Sequence, residues 1–334
     1  MRHTKNYKGI RSSITVLALF ANAITTASAD EISSSELFQQ CLSELVITAD
    51  PNTTIKELHA TCNAQLEPVA DSIDTATEKR QLGQQVVAHN QFTLLQHRAN
   101  YLLPLAYNFK AADNEPIGPN GELRNLDPTE FKFQISFKSL LWDNILGSDT
   151  NLYAAYTNTS WWQAYNKDNS SPFRETNHQP ELFIDIPNDI SIGDWELANI
   201  RLGISHQSNG RAGDFSRTWN RAFAEFAISD EFNEIRLRPW TSLSDIEDNP
   251  DIEEYRGRFE LGGTHLVGDH TFAWAARHTL DRNSRGSFKL DWSFPIAERD
   301  DLQFFVQYFD GYGESLIDYD VKSRRLGLGF KLGN

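Results

Sequence analysis

The chain has 334 residues and carries 46 acidic against 31 basic side chains, a net charge of -15 that becomes -19 once the first 29 residues, with four basic and no acidic groups, are set aside. That balance argues against nucleic-acid binding, which needs Lys and Arg to neutralise phosphates. The mean hydropathy of -0.50 would ordinarily indicate a soluble protein, but it does not exclude a β-barrel, whose lipid-facing residues are only every second one.

At the start, Arg2, Lys5, Lys8 and Arg11 precede a short apolar run over 14–24, and Ala27-Ser28-Ala29 fits a small-residue cleavage site. This pattern predicts a secretory signal peptide over 1–29, with Asp30 opening the mature chain. The apolar run is too short for a transmembrane anchor and is broken by Asn22. No later stretch approaches the roughly 18 apolar residues of a membrane helix.

Residues 30–92 form a segment of their own, expected in the periplasm. Leu37, Cys41, Leu45 and Val46, then Ile55, Leu58, Cys62 and Leu66, recur at helical spacing on either side of Asp50-Pro51-Asn52. Two short helices stapled by a Cys41–Cys62 disulfide are the expectation, since these are the chain's two cysteines and an exported protein meets an oxidising compartment. This segment shows no chemistry.

From about residue 93 the hydrophobic period changes to two. Phe131, Phe133, Ile135 and Phe137 alternate with Lys132, Gln134, Ser136 and Lys138; Leu326, Leu328, Phe330 and Leu332 alternate with Arg325, Gly327, Gly329 and Lys331. Such alternation marks a sheet with one apolar and one polar face. About twelve segments read this way, near 98–109, 129–142, 150–164, 180–187, 194–208, 216–229, 231–242, 252–264, 269–279, 285–295, 301–311 and 321–333. Trp 8, Tyr 10 and Phe 21 against Met 1 suit interfacial aromatic girdles. The fold predicted for 93–334 is therefore a twelve-stranded antiparallel transmembrane β-barrel. A large soluble β-sandwich or jelly roll is the alternative; the Lys, Arg and Glu on the polar faces suit a small hydrated or salt-bridged lumen better than a sandwich core. With both termini periplasmic, the connections near 110–128, 165–179, 209–215, 243–251, 280–284 and 312–320 lie outside.

One hairpin carries candidate chemistry. Residues 204–221 read ISHQSNGRAGDFSRTWNR. If 202–208 and 218–226 pair, His206, Ser208 and Asn220 share the face of Leu202, Ile204 and Phe226, and the charged residues take the other. A turn centred near 213 sets His206 across from Asn220. There the amide can hold one imidazole nitrogen while His206 activates Ser208, a weak nucleophile without a base. The Ser-Asn-Gly turn offers amides to a developing oxyanion. Three polar groups on a face meant for lipid are costly unless they pair or function. The alternatives are a non-enzymatic barrel, either a narrow channel or a structural protein, and a barrel that deacylates lipopolysaccharide.

His206-Gln207-Ser208-Asn209-Gly210-Arg211, followed by Ser216-Arg217-Thr218-Trp219-Asn220-Arg221, resembles the active-site signature of the outer-membrane phospholipase A family. The resemblance extends over about 91–334. It continues through Ser160-Trp161-Trp162-Gln163, Ser170-Ser171-Pro172-Phe173-Arg174-Glu175-Thr176-Asn177, Asp248-Asn249-Pro250-Asp251-Ile252 and Gly311-Tyr312-Gly313-Glu314-Ser315-Leu316-Ile317-Asp318-Tyr319. It implies a twelve-stranded outer-membrane barrel that hydrolyses acyl esters of phospholipids and lysophospholipids, needs calcium and works as a homodimer. It further implies Ser208 as nucleophile, His206 as base, Asn220 as orienting residue and the Gly210 amide in the oxyanion hole. Calcium at the dimer interface would be held by the Ser216 hydroxyl, the Arg211 carbonyl and Ser170 of the second copy, a hard-oxygen set suited to that ion. Two departures stand out. Asn158 falls where the family has an interface glutamine, and the aromatic residue that commonly ends such barrels lies four residues inward, at Phe330.

Overall fold

The computed structural model describes residues 93–333 apart from 111–114, 117–122, 125, 148–149, 244–247, 282–284 and 298, together with 54, 58, 61 and 62. The signal peptide and most of the helical N-terminal segment lie outside the described residues. Of the expected cysteine pair, Cys62 is disulfide-bonded and Cys41 lies outside them.

Twelve antiparallel strands close into a barrel: β1 Tyr101–Asn108, β2 Thr129–Trp142, β3 Asn151–Trp162, β4 Phe173–Ile192, β5 Trp195–Ser208, β6 Thr218–Ser229, β7 Asn233–Ser242, β8 Phe259–Val267, β9 His270–His278, β10 Gly286–Ile296, β11 Arg299–Gly311 and β12 Ser323–Leu332. Each strand pairs with its neighbour in sequence, and β12 closes on β1 through Leu326↔Tyr107 and Leu328↔Leu105. Closure leaves no free sheet edge, which a bilayer demands because lipid offers no partner to a bare N–H or C=O. Long connections gather at one end and short turns, such as 193–194 and 268–269, at the other; in outer-membrane barrels the long connections are extracellular.

The two-residue period sorts side chains as expected. Ile135, Leu202, Ile204, Leu237 and Leu328 face outward and are exposed. The inward set is rich in charged side chains, many of them ion-paired. Glu181 accepts from His97 at 2.8 Å and Arg98 at 3.0 Å, and pairs with Arg238. Glu225 pairs with Arg201 at 2.9 Å and Arg238 at 3.4 Å. Nearer the loops, Glu130 meets Arg174 at 2.6 Å and Arg325 at 2.8 Å. His97 and Arg98 belong to the stretch before β1, which begins with a two-residue strand, Leu95–Gln96, pairing with β2. These ion pairs cross the lumen. The connection after β11 covers its mouth, with the Leu316 and Ile317 amides bonded to Asn177 Oδ1 at 3.0 Å and Glu175 Oε1 at 3.2 Å.

Two elements differ from expectation. β4 begins at Phe173, not near 180, so the outer connection is 163–172. Its upper half, Arg-Glu-Thr-Asn-His-Gln, shows no apolar alternation because Thr176 and His178 occupy the outward positions. A register shift at Trp161/Trp162 further blurs its parity. β8 begins at Phe259 because a one-turn helix, Glu253–Arg256, takes the preceding residues and ends on Gly257 with positive φ.

Candidate active site

β5 and β6 pair in the anticipated register, His206↔Asn220 and Ser208↔Thr218. Their inward neighbours Ser205, Gln207, Trp219 and Arg221 are all buried. Parity therefore directs His206, Ser208 and Asn220 to the lipid-facing side. There His206 Nδ1 lies 2.7 Å from Asn220 Oδ1. An amide oxygen only accepts, so Nδ1 carries the proton and Nε2 is left as the basic nitrogen. Ser208 sits two residues along on the same face. Among the described residues it makes no hydrogen bond to His206; such bonds often tighten only when substrate is bound.

The loop 209–217 is organised by Asn209. Its buried side chain accepts from the Arg217 amide at 3.0 Å and the Arg211 amide at 3.3 Å, and donates to the Phe215 carbonyl at 2.9 Å. The chain turns through Gly210 at φ 65°, a left-handed conformation that a residue with Cβ adopts only at a cost. The exposed Gly210 amide donates to no acceptor among the described residues.

The Arg211 guanidinium reaches inward to Glu175 at 3.4 Å and to the Arg174 carbonyl, which leaves its backbone carbonyl as the group on offer. Ser216 Oγ donates to Asp248 Oδ2 at 2.7 Å. The Ser216 oxygen thus keeps its lone pairs for a cation, beside a carboxylate. These are hard oxygen donors and they fit calcium. Ser170 lies in the 163–172 connection at the same end of the barrel, with φ 61°, and within one chain it bonds neither Arg211 nor Ser216. Among the described residues no cluster of three His, Cys, Asp or Glu side chains could hold a metal.

Two residues at the site, Tyr156 and His178, had no signal in the motif spacing. Asn158 pairs with His178, and His178 with Ser208, so Asn158, His178, Ser208 and Thr218 form one row across four strands. His178 Nδ1 lies 2.6 Å from Tyr156 Oη and 3.3 Å from Asn158 Nδ2. Only the pairing of β4 with β5 brings this histidine beside the serine. Asn249, fully buried, latches the neighbouring loop to the hairpin through the Thr218 amide at 3.0 Å.

A closed lipid-facing barrel with a salt-bridged lumen and an outward His–Asn pair beside a serine defines an outer-membrane β-barrel enzyme acting on lipid esters. Comparison with known proteins makes this specific. Residues 77–332 match the sequence model of the Phospholipase A1 family, and the chain belongs to that family. The match begins upstream of residue 91, where the motif resemblance started. Phospholipase A1 of Proteus vulgaris is 37% identical over 246 residues, covering 73% of this chain and 83% of that protein. The Escherichia coli K12 protein of the same name is 35% identical over 245 residues, with the same coverage. Among solved structures, outer membrane phospholipase A from Escherichia coli superposes with a TM-score of 0.69 at 34% identity, over 73% of this chain and 99% of that one. The Salmonella typhi outer membrane phospholipase, a dimer with bound calcium, has the same TM-score and identity and covers 74% of this chain and 94% of its own. The protein is thus a lipolytic ester hydrolase of the bacterial outer membrane.

Proposed function

We propose that the chain is a calcium-dependent phospholipase with A1 and A2 activity that cleaves acyl esters of glycerophospholipids and lysophospholipids through Ser208, His206 and Asn220, and is active as a homodimer. The observation that carries this reading is the His206–Asn220 hydrogen bond on the lipid-facing surface beside Ser208. Substrate reaches that surface without leaving the outer leaflet.

The order of steps follows from the tautomer. His206 Nε2 takes the Ser208 proton as Oγ adds to the ester carbonyl carbon. The resulting imidazolium keeps its Nδ1–H on Asn220. The negative charge collects on the former carbonyl oxygen, where the free Gly210 amide is the candidate donor. Collapse breaks the bond to the glycerol oxygen, which takes the proton from Nε2 and departs as lysolipid alcohol. Water then adds to the acyl-Ser208 with His206 again as base, releasing fatty acid and restoring the serine. Asn220 orients the ring but supplies no charge, so the imidazolium is stabilised less than it would be by a carboxylate. The Ser216 hydroxyl, the Arg211 carbonyl and Ser170 of a second copy would hold the calcium, which, when bound, polarises the ester carbonyl and neighbouring water. A Salmonella typhi relative that is dimeric and binds calcium supports this.

The channel alternative is disfavoured by a lumen crossed by ion pairs and capped by the 312–322 connection. Acyl release from phospholipid micelles by refolded protein, with excess calcium or with chelator, tests the reading. Calcium-dependent release that disappears in Ser208→Ala is expected. Release that persists in Ser208→Ala would rule out the assigned nucleophile.

A further inference from the structure

A second histidine stands beside the serine. His178 faces outward on β4 and is the direct cross-strand partner of Ser208. Such partners have Cβ atoms about 5 Å apart. Its ring is fixed from behind. Tyr156 Oη lies 2.6 Å from Nδ1 and Asn158 Nδ2 lies 3.3 Å from it, and the Tyr156 and His178 rings are roughly parallel at 6.2 Å between centroids. The Asn158 amide is itself oriented, because its Oδ1 accepts from Ser160 Oγ at 3.1 Å. An amide nitrogen only donates, so Nδ1 is the acceptor and the ring proton resides on Nε2.

That Nε2 points toward the turn. A Cβ built on Gly210 would lie 3.7 Å from His178 Nε2 and 3.7 Å from its Cδ2. The imidazole edge therefore adjoins the residue whose amide is free to meet an oxyanion. Holding three polar side chains in this arrangement on a lipid-facing surface has a desolvation cost that packing alone does not offset.

We propose that His178 donates its Nε2–H to the carbonyl oxygen of the scissile ester as charge develops there, forming one side of the oxyanion hole next to the Gly210 amide. This rests on the reading of Ser208 as nucleophile. No proton changes hands at His178; the hydrogen bond shortens and strengthens as the oxygen becomes anionic. Tyr156 and Asn158 are positioning residues that hold the tautomer.

The test compares wild type, His178→Phe, His178→Gln and Tyr156→Phe on two substrates: a phospholipid in micelles, and a p-nitrophenyl ester that has the carbonyl but no phosphate. His178→Phe is expected to lower kcat roughly ten- to a hundredfold on both substrates with little change in KM, somewhat less than the effect of deleting a principal oxyanion donor. His178→Gln, which keeps a donor near the Nε2 position, is expected to recover much of the loss. Tyr156→Phe keeps the barrel surface and is expected to lower kcat several-fold by freeing the tautomer. A loss confined to the phospholipid would overturn the proposal in favour of a phosphate contact. Unchanged kcat in both His178→Phe and Tyr156→Phe, or Gln no better than Phe, would also overturn it. If wild type itself is no more active than Ser208→Ala, the proposed function fails instead, so the two failures are distinguishable.

Discussion

His206 and Asn220 are direct partners across β5 and β6, with Nδ1 of the imidazole 2.7 Å from the amide oxygen. The bond fixes the tautomer by geometry alone, with no carboxylate in the set. Asn220→Ala is expected to lower kcat roughly ten- to a hundredfold, as loss of a hydrogen bond of about 1–3 kcal/mol to a group that becomes charged implies. Asn220→Asp is expected to retain most activity. Steady-state acyl release from micelles measures both.

Ser216 donates its proton to Asp248 and presents its oxygen to the loop surface. Ser216→Ala is expected to raise the calcium concentration needed for half-maximal activity by at least tenfold. The barrel itself should unfold at an unchanged temperature in chelator, since its strands close without that loop. Calcium titration of activity beside a thermal melt checks the two halves separately.

Glu181 is the hub of the luminal network, meeting His97, Arg98 and Arg238. Glu181→Gln removes the carboxylate that Arg98 meets and leaves the buried Arg238 with Glu225 alone. Breaking such a pair from one side costs about 3–5 kcal/mol. Urea unfolding in detergent micelles is expected to show that loss, and the surface site, being on the opposite face, should keep its kcat in the fraction that folds.

Gln207 lies between His206 and Ser208 but points inward, where its Oε1 accepts from Arg256 at 3.2 Å and Arg221 at 3.4 Å. Both guanidinium groups are buried and have no carboxylate bonded to them among the described residues. Gln207→Glu supplies the missing anion at nearly constant volume. It is expected to raise the unfolding temperature by several degrees, read by circular dichroism. Gln207→Leu is expected to lower it.

Glu314, in the connection after β11, is fully enclosed beside Arg325 and Lys132, each 3.0 Å away. Burial alone would push its carboxyl up; the two cations outweigh that and hold it well below the usual carboxylate range. A carboxyl depressed on folding contributes stability that is fully present above its unfolded pKa. That contribution is lost as pH falls from there through the folded value. Wild type is therefore expected to lose stability on acidification below the ordinary carboxylate range. Glu314→Gln should be less stable at neutral pH and flatter in the acid limb, as urea midpoints at several pH values would show.

The strands were legible in the sequence wherever one face meets lipid and the other a polar lumen, as along 131–138 and 326–332. The period of two is imposed by the backbone and needs no tertiary information. The sequence failed at the top of β4, where Thr176 and His178 are polar in outward positions, and at 253–256, where a single helical turn sits in what reads as strand. In both places the ordinary pattern is interrupted near the mouth and the site.

By itself the sequence determined the barrel class, the facing of His206, Ser208 and Asn220, and the register of their hairpin, because parity and turn position are local properties of one contiguous stretch. Only the tertiary structure decided what surrounds that hairpin. The partners of Glu181 come from residues 97, 98 and 238, and Ser208 gains His178 and Asn158 as neighbours in its row. Those meetings depend on how the strands pair and how the barrel closes. The cost of leaving a charge or a donor unmatched in lipid or in an enclosed lumen selects which residues meet.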